Sequence, residues 1–192
     1  MYSKMDNIFF DKSDLKSCGK NVIIGKTARI RYPELVEIGD NVIIDDFTYI
    51  STQLKIDDYV HISSGCKIIG GRESSVTFGR FSTLSPNVVL AAGSDDYHSG
   101  LATPLVPIEY KADWEYGEMS IGNHCIVGSN SVILPNINMA DGSVLGALSL
   151  LKTSTAAWSI NSGIPAKLIG SRNRKEILDL EKKFIEDSNP NM

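Results

Sequence analysis

The chain has 192 residues, of which 42% are hydrophobic, and this is enough apolar material for one domain whose core needs neither disulfides nor a metal. Its net charge of -4 gives no general attraction to nucleic acid, so we exclude a nucleic-acid partner. The sequence has no signal peptide and no apolar run long enough to cross a bilayer, so we expect a cytoplasmic protein without membrane insertion.

A six-residue repeat organises most of the chain. Neither an α-helix, with about 3.6 residues per turn, nor an alternating strand gives this step. Three units of the repeat make one triangular coil, and stacked coils place the repeated side chains in internal ladders. The pattern therefore predicts a parallel β-helix of about five to six coils. The repeated side chains are Ile24, Ile30, Ile38, Ile44, Ile50, Ile56, Ile62, Ile68, Phe78, Leu84, Leu90, Ile121, Val127, Ile133, Met139, Leu145 and Leu151.

The repeat is interrupted at several points, and interruptions of a solenoid are the usual places for functional loops. The insertions have two, four and 25 residues, and they fall between Ile30 and Ile38, between Ile68 and Phe78, and between Leu90 and Ile121. A loop as long as the third insertion inside a compact domain is usually functional.

After Leu151 the repeat ends, and the spacing of apolar residues predicts a helix over 174–187. We interpret this helix as a lid over the open end of the solenoid, where it would cover exposed strand edges. The predicted organisation is a β-helix domain at 1–170 with a loop insertion at 91–119, followed by a C-terminal helix and tail at 171–192.

Cys66 and Cys125 occupy small corner positions of the repeat, four residues after a large aliphatic residue. The chain has three cysteines, an odd number, so a framework of paired disulfides is disfavoured. We therefore expect both residues to be buried free thiols that point inwards.

The C-terminal third of the repeat resembles the hexapeptide-repeat acyltransferases, and in particular the sugar O-acetyltransferases of polysaccharide biosynthesis. This resemblance covers residues 20–170 and implies a left-handed parallel β-helix, a homotrimer and acetyl-CoA as the acyl donor, with no metal. The motifs that carry it are Ser120-Ile121-Gly122-Asn123-His124-Cys125-Ile126-Val127-Gly128, Ser131-Val132-Ile133-Leu134-Pro135, Val144-Leu145-Gly146-Ala147-Leu148-Ser149 and Ser162-Gly163-Ile164-Pro165-Ala166-Lys167.

The resemblance also implies the residues that bind the cofactor. In the family, acetyl-CoA lies in a groove along the C-terminal coils, and the matching positions here are Ser129, Gly146 and Ala147. Small residues at these positions let the pantetheine arm approach the backbone. Lys167 and Arg172 match the terminal segment near the adenosine phosphates, where they would pair with the 3'-phosphate.

The long loop opens with Ser94-Asp95-Asp96-Tyr97-His98. In the galactoside- and maltose-type acetyltransferases this loop opens with the catalytic histidine, but the matching place here is Asp95. An imidazole with a pKa near neutrality suits a general base better than an ordinary carboxylate. We therefore favour His98 as the catalytic base, with Asp95 or Asp96 orienting it or binding sugar hydroxyls. The alternative is that His98 is a solvated loop histidine.

His61 and His124 lie near corners of the predicted solenoid. In solenoid trimers the active site lies between chains, so either histidine is a possible catalytic or substrate contact. The alternative is a structural histidine that faces outwards. The three histidines are spaced too widely to include the close pair that a β-helical carbonic anhydrase uses for its metal, and no metal site is expected.

These observations predict an acetyl-CoA-dependent acetyltransferase that acts on a sugar hydroxyl by direct attack on the thioester, in surface polysaccharide biosynthesis. The expected partners are a sugar or nucleotide-sugar acceptor and two further copies of the chain. One alternative is an N-acetyltransferase of a nucleotide-linked amino sugar, because an amine that arrives unprotonated needs no strong base. Another alternative is a non-catalytic trimeric scaffold.

Overall fold

The computed structural model describes residues 7–103 and 105–188. Up to the long loop, the strands are β1 (Ser17–Cys18), β2 (Ile23–Ile24), β3 (Arg29–Ile30), β4 (Val36–Ile38), β5 (Ile43–Ile44), β6 (Tyr49–Ile56), β7 (His61–Ile62), β8 (Lys67–Phe78), β9 (Thr83–Leu84) and β10 (Val89–Ala91). The later strands are β11 (Gly93–Asp95), β12 (Trp114–Tyr116), β13 (Glu118–Ile121), β14 (Ile126–Val127), β15 (Val132–Ile133), β16 (Asn138–Met139), β17 (Val144–Leu145), β18 (Leu150–Leu151), β19 (Ser159–Gly163) and β20 (Ala166–Ser171). Short 3₁₀ helices lie at Lys12–Asp14, Pro33–Leu35 and Ile108–Tyr110, and one α-helix, α1, spans Arg174–Ser188.

The strands stack in parallel into three flat faces, as the six-residue repeat predicts. The first face contains β1, β4, β13, β16 and the C-terminal parts of β6 and β8. The second face contains β2, β5, β7, β9, β14, β17 and β19. The third face contains β3, β10, β15, β18 and the N-terminal parts of β6 and β8. The prediction of a parallel β-helix is confirmed.

The repeated side chains form the predicted internal ladders. On the second face, for example, Ile44 pairs with Ile62, and Ile62 pairs with Leu84, each in register. All three are fully buried, so the burial of apolar surface in stacked coils stabilises the fold.

Among the described residues, the second face has seven parallel strands, one more than the repeat predicts. The seventh strand carries Asn161 opposite Leu145, where the ladder would otherwise have an aliphatic residue. The Asn161 amide is buried and donates a hydrogen bond to Ser159 Oγ at 2.8 Å. A search for aliphatic residues alone misses this coil because a polar residue with an internal partner fills the position.

We call the three edges of the prism corners. In the third coil, corner 1 joins the first face to the second at 57–60, corner 2 joins the second face to the third at 63–66, and corner 3 joins the third face to the first at 69–76. All three insertions found in the sequence fall on corner 3. The solenoid therefore carries its irregular segments along one edge.

The helix α1 lies along corner 1 and not over the end of the solenoid, so the prediction of an end lid is wrong. Corner 1 presents a column of stacked rings: Tyr59 and Phe81 have centroids 4.9 Å apart, and Phe81 and His124 have centroids 5.3 Å apart. Phe184 of α1 contacts the rings of Tyr59 and Phe81 edge-on, at 5.2 and 5.9 Å. The helix is held there because its apolar side chains cover this column.

The predicted boundary near residue 170 lies within β20, which pairs antiparallel with β19 before α1 begins at Arg174. Residues 1–6 of the predicted first domain and residues 189–192 of the predicted tail lie outside the described residues. Within the part of the chain that the structure describes, no helix has the length and apolar character needed to span a membrane.

Thiol reactivity should follow the burial of the three cysteines. Cys66 and Cys125 are fully buried, as predicted, whereas Cys18 is exposed. Burial raises the pKa of the Cys66 thiol to about 11, so its reactive thiolate is scarce near neutral pH. We expect an alkylating reagent to label Cys18 in the native protein and the other two only after unfolding, as measured by mass spectrometry. Rapid native labelling of Cys66 would show that the assigned register is wrong.

Candidate functional site

The long insertion leaves corner 3 as a two-stranded antiparallel ribbon. Gly93 pairs with Tyr116, Ser94 with Glu115 and Asp95 with Trp114, so residues from both ends of the loop lie side by side. The ribbon is therefore a regular extension of the solenoid that holds the backbones of the two loop ends together.

A cavity of about 360 Å³ opens beside the ribbon. Four carboxylates and one imidazole dominate its charge, so the cavity attracts cations and repels anions at neutral pH. An amine or ammonium group fits this electrostatic environment, whereas a phosphate does not. The residues that line the cavity are Ser94, Asp95, Asp96, Tyr97, His98, Asp113 and Glu115.

The structure brings together the three predicted catalytic residues, and it gives Asp96 a specific task. The Asp96 carboxylate accepts hydrogen bonds from the His98 backbone N–H at 2.8 Å and from the Ser99 hydroxyl at 2.5 Å. These bonds to its charged form lower the pKa of Asp96. Both carboxylate oxygens are thus used to hold the turn, and Asp96 does not orient the His98 ring.

Asp95 and His98 differ in how firmly they are placed. Asp95 belongs to β11 and is half-buried, with its backbone fixed by the ribbon. His98 lies beyond the ribbon and is exposed. Of the two, Asp95 is the better positioned to meet a reacting group inside the cavity.

His61 lies on the second face in strand β7. Its Nε2 atom is 2.8 Å from Asp45 Oδ2, and both side chains are partly exposed. The Asp45 carboxylate fixes the orientation of the His61 imidazole. Because both side chains are partly exposed, a substrate or a neighbouring copy of the chain can reach this pair.

His124 lies at corner 1, on the far side of the second face from corner 2. Its ring stacks on Phe81 and has its centroid 6.0 Å from that of Trp158. Its Nε2 atom is 2.9 Å from Glu181 Oε2 in α1, and the residue is buried. His124 therefore anchors the C-terminal helix through its contact with Glu181.

The candidate cofactor groove runs along corner 2. Ser129 and Ala147 follow neighbouring strands of the second face, and the Leu148 N–H donates to the Ser129 carbonyl at 2.9 Å. A Cβ atom on Gly128 would lie 2.3 Å from the Ala147 nitrogen, and one on Gly146 would lie 2.7 Å from Ser162 Oγ. Close stacking of the coils explains why small residues recur here.

Lys167 lies at the C-terminal end of the same corner. It pairs with Ser162 across the β19–β20 hairpin, and its side chain is exposed. The structure thus places four of the five predicted cofactor residues along one edge: Ser129, Gly146, Ala147 and Lys167.

Arg172 is not part of this edge. Its Nη1 atom donates to the carbonyl of His124 and, at 3.0 Å, to that of Gly142, and its backbone N–H donates to the Trp158 carbonyl at 2.8 Å. After β20 the chain has crossed to corner 1, where the guanidinium satisfies these carbonyls. Arg172 thus lies apart from the other four predicted cofactor residues, and its pairing with the cofactor phosphate stays a prediction.

Sequence reasoning misses Asp113 and Glu115, which supply half of the carboxylates in the cavity. They come from the far end of the loop and belong to no recognisable motif. The alternation Asp113-Trp114-Glu115 is a weak strand signal, but only the structure shows that Asp113 and Glu115 line the same cavity as Asp95.

Among residues 7–103 and 105–188, no group of three or more histidine, cysteine, aspartate or glutamate side chains is arranged to hold a metal ion.

Comparison with known proteins gives relatives over nearly the whole chain. The chain is 37% identical over 185 residues to a dTDP-4-amino-4,6-dideoxy-D-glucose acyltransferase from Escherichia coli, and the match covers 94% of each protein. No protein-family model matches the chain.

Solved structures agree with this relation. Crystal structures of AntD, an N-acyltransferase from Bacillus cereus, include a serine variant in complex with dTDP-4-amino-4,6-dideoxyglucose and coenzyme A. That structure has a TM-score of 0.86 and 33% identity, and the match covers 94% of this chain and 98% of the other. Another AntD structure, in complex with dTDP and 3-hydroxybutyryl-CoA, has a TM-score of 0.87 and 34% identity, covering 95% of this chain and 99% of the other.

Proposed function

Because the chain belongs to the hexapeptide-repeat acyltransferases, we propose that it transfers the acetyl group of acetyl-CoA to the amino group of a nucleotide-linked amino sugar. The chain is a CoA-dependent acyltransferase with a left-handed parallel β-helix, and this excludes the non-catalytic scaffold. The sequence allows both a sugar hydroxyl and an amine as the acceptor. The relatives that act on amino sugars support the amine.

The acidic cavity on corner 3 is the observation that carries this proposal. Its four carboxylates favour a positively charged or amine-bearing substrate over a neutral hydroxyl. A sugar with an exposed amino group is held by such a cavity, and the same charges keep free phosphate and acidic sugars out.

The chemistry needs no nucleophile from the protein. The amine attacks the thioester carbonyl carbon in its neutral form. The nitrogen of the tetrahedral intermediate then loses a proton, the carbon–sulfur bond breaks, and the departing CoA sulfur takes up a proton. We assign to Asp95 the role of orienting the amine and accepting a proton from it. The reason is that the backbone of Asp95 is fixed in the ribbon. His98 at the exposed rim then relays protons and is not the primary base.

The product fits the biology that the sequence suggests. An acylated nucleotide sugar is a building block for a later glycosyl transfer, which agrees with a role in polysaccharide biosynthesis. The need for acyl-CoA as donor supports a cytoplasmic location.

A homotrimer completes the proposed site. The acidic cavity lies on corner 3 and the cofactor groove on corner 2, separated by the third face, and six residues of extended chain span about 20 Å. A neighbouring copy that sets its corner 2 against this corner 3 would bring thioester and amine together. The second face supports such packing, because most of its outward side chains are apolar and half-buried: Ile23, Ile43, Ile126, Val144 and Ile160.

Light scattering should give a particle mass three times the chain mass of 21.0 kDa. The variant Ile126→Glu places a charge in the middle of the apolar outer face, so it should shift the protein to monomers and remove acyl transfer. Thr77→Glu, on the polar outer surface of the first face, is the matched control and should leave both properties unchanged. A wild-type monomer with full activity would rule out a composite site.

Release of CoA, followed with a thiol reagent, tests the function itself. We expect rapid release with acetyl-CoA and dTDP-4-amino-4,6-dideoxyglucose, and slow release when a galactoside offers only hydroxyl groups. Replacing acetyl-CoA by 3-hydroxybutyryl-CoA measures how far the donor site accepts longer acyl groups. Faster turnover of the galactoside than of the amino sugar would reject the amine assignment and restore the hydroxyl acceptor.

A further inference from the structure

The first two insertions on corner 3 carry a cluster of charges opposite to that of the cavity. The guanidinium carbon of Arg72 lies 4.8 Å from the centroid of the Tyr32 ring, and that of Arg31 lies 5.4 Å from the same centroid. Arg31 and Tyr32 open the first insertion, whereas Arg72 belongs to the second. Two residues far apart in sequence thus converge on one aromatic ring.

This arginine pair, Arg31 and Arg72, has more positive charge than its surroundings neutralise. Arg72 Nη1 is 2.8 Å from Glu34 Oε1, and both side chains are about half exposed. Within the described part of the chain, no carboxylate lies within ion-pair distance of Arg31. Arg72 has five N–H donors, so its ion pair with Glu34 leaves donors for a second anion.

The bulge that carries Arg72 is held rigidly. The Arg72 carbonyl accepts a hydrogen bond from Gln53 Nε2 at 2.7 Å. Ser74 is fully buried, its hydroxyl donates to the Gly70 carbonyl at 2.9 Å, and its carbonyl accepts from Thr52 Oγ1 at 2.6 Å. With its backbone held in this way and its guanidinium in contact with Glu34 and Tyr32, Arg72 loses less conformational freedom on binding a ligand than an unsupported side chain would.

The same bulge adjoins the ribbon of the acidic cavity. The Ala92 N–H donates to the Ile69 carbonyl at 2.6 Å, and the Gly117 N–H donates to Ser74 Oγ at 3.3 Å. Arg72 and Asp95 each lie three residues from the contact between Ile69 and Ala92, a chain length of at most about 11 Å. The positive and negative clusters are therefore neighbours on one edge of the molecule.

We propose that Arg72 and Arg31 bind the diphosphate of the acceptor while its amino sugar occupies the acidic cavity. This inference rests on the proposed function, since it concerns how that acceptor is held. The carboxylates of the cavity repel phosphate, so the diphosphate must bind outside it, and planar guanidinium groups bind phosphate oxygens in pairs. The two clusters together select a substrate that has an amine at one end and a diphosphate next to it.

Calorimetry with thymidine diphosphate as the probe tests the site without any acyl transfer. We expect Arg72→Gln and Arg31→Gln each to weaken binding by about 10- to 100-fold, the usual range for losing a hydrogen bond to a charged group. Arg72→Lys, which keeps the charge and loses the planar fork, should fall between wild type and Arg72→Gln. Binding of CoA should be unchanged in all three variants.

Arg29→Gln is the matched control. Arg29 is an exposed arginine whose guanidinium carbon lies 5.6 Å from the ring centroid of Phe9, so its loss removes the same charge and the same kind of ring contact. Thymidine diphosphate should bind this variant as it binds the wild type. Three results would overturn the assignment. They are an equal loss of affinity in Arg29→Gln, wild-type affinity in both Arg72→Gln and Arg31→Gln, and no binding of thymidine diphosphate to the wild-type protein.

Steady-state kinetics separates this inference from the proposed function. The expected result is a higher KM for the nucleotide-linked amino sugar in Arg72→Gln, with kcat close to that of the wild type. If the wild type acetylates the free amino sugar as well as the nucleotide-linked form, the diphosphate site is wrong and the transfer reaction stands. If thymidine diphosphate binds through Arg72 but no amino sugar is acetylated, the site stands and the proposed reaction is wrong.

Discussion

Asp95→Asn should lower turnover by about 10²- to 10⁴-fold, the usual contribution of a positioned general base, while the affinity for acetyl-CoA stays the same. The substitution keeps the shape of the side chain and removes its ability to accept a proton from the amine. The cofactor groove lies on a different corner, so the two effects should separate. Initial rates of CoA release and calorimetry with CoA measure them independently.

Asp113→Asn is the matched control for Asp95→Asn. Both residues line the same cavity, so either substitution removes one negative charge from it. We expect Asp113→Asn mainly to raise the KM for the amino sugar. A collapse of kcat in Asp113→Asn, combined with near-normal kcat in Asp95→Asn, would show that Asp113 is the proton acceptor and Asp95 is not.

His98→Ala tells the two acceptor hypotheses apart. With an amine acceptor, the exposed His98 ring is not the primary base, so the loss of rate should be small compared with that of Asp95→Asn. A hydroxyl acceptor needs a stronger base, and His98→Ala would then cause the larger loss. The ratio of the two effects, measured with the same acceptor, therefore reports the chemistry of the site.

The sequence predicts the solenoid well because the repeated aliphatic residues are the ones whose side chains face inwards. Each coil buries a side chain of the same kind at the same place, as Ile62 and Leu84 do, and the register follows without knowledge of distant contacts. Asn161 breaks the apolar pattern, so the repeat does not reveal the seventh coil. The position of α1 depends on the ring column of corner 1. The repeat gives Tyr59 and Phe81 the same place on neighbouring coils, three residues after Ile56 and Phe78, but it does not show that the helix packs on them.

The candidate site is predicted only where it is local in sequence. Asp95, Asp96 and His98 lie within four residues of each other, and a single loop motif identifies them. Asp113 and Arg72 reach the same edge from other segments, through ribbon pairing and through a bulge of the preceding coil. Such convergence is a property of the corner, because the second and third insertions lie on adjacent coils at corner 3.

Ala147→Phe should weaken the binding of acetyl-CoA by about 100-fold, which corresponds to about 2.8 kcal/mol. Ala147 is exposed on corner 2 and its neighbours are small, so a phenyl ring there would fill the space proposed for the pantetheine arm. The core should not be disturbed, because the side chain points away from it. Calorimetry with CoA and thermal unfolding measure the two expectations.

Lys26→Phe is the matched control, since Lys26 is an exposed residue at the same place in the repeat, two residues after an inward aliphatic one, on an N-terminal coil. It adds the same ring to the same corner away from the C-terminal coils. CoA should bind this variant normally. If Ala147→Phe also binds CoA normally while remaining folded, the groove does not follow the C-terminal part of corner 2, and the pairing of that corner with the acidic cavity of a neighbour must be abandoned with it.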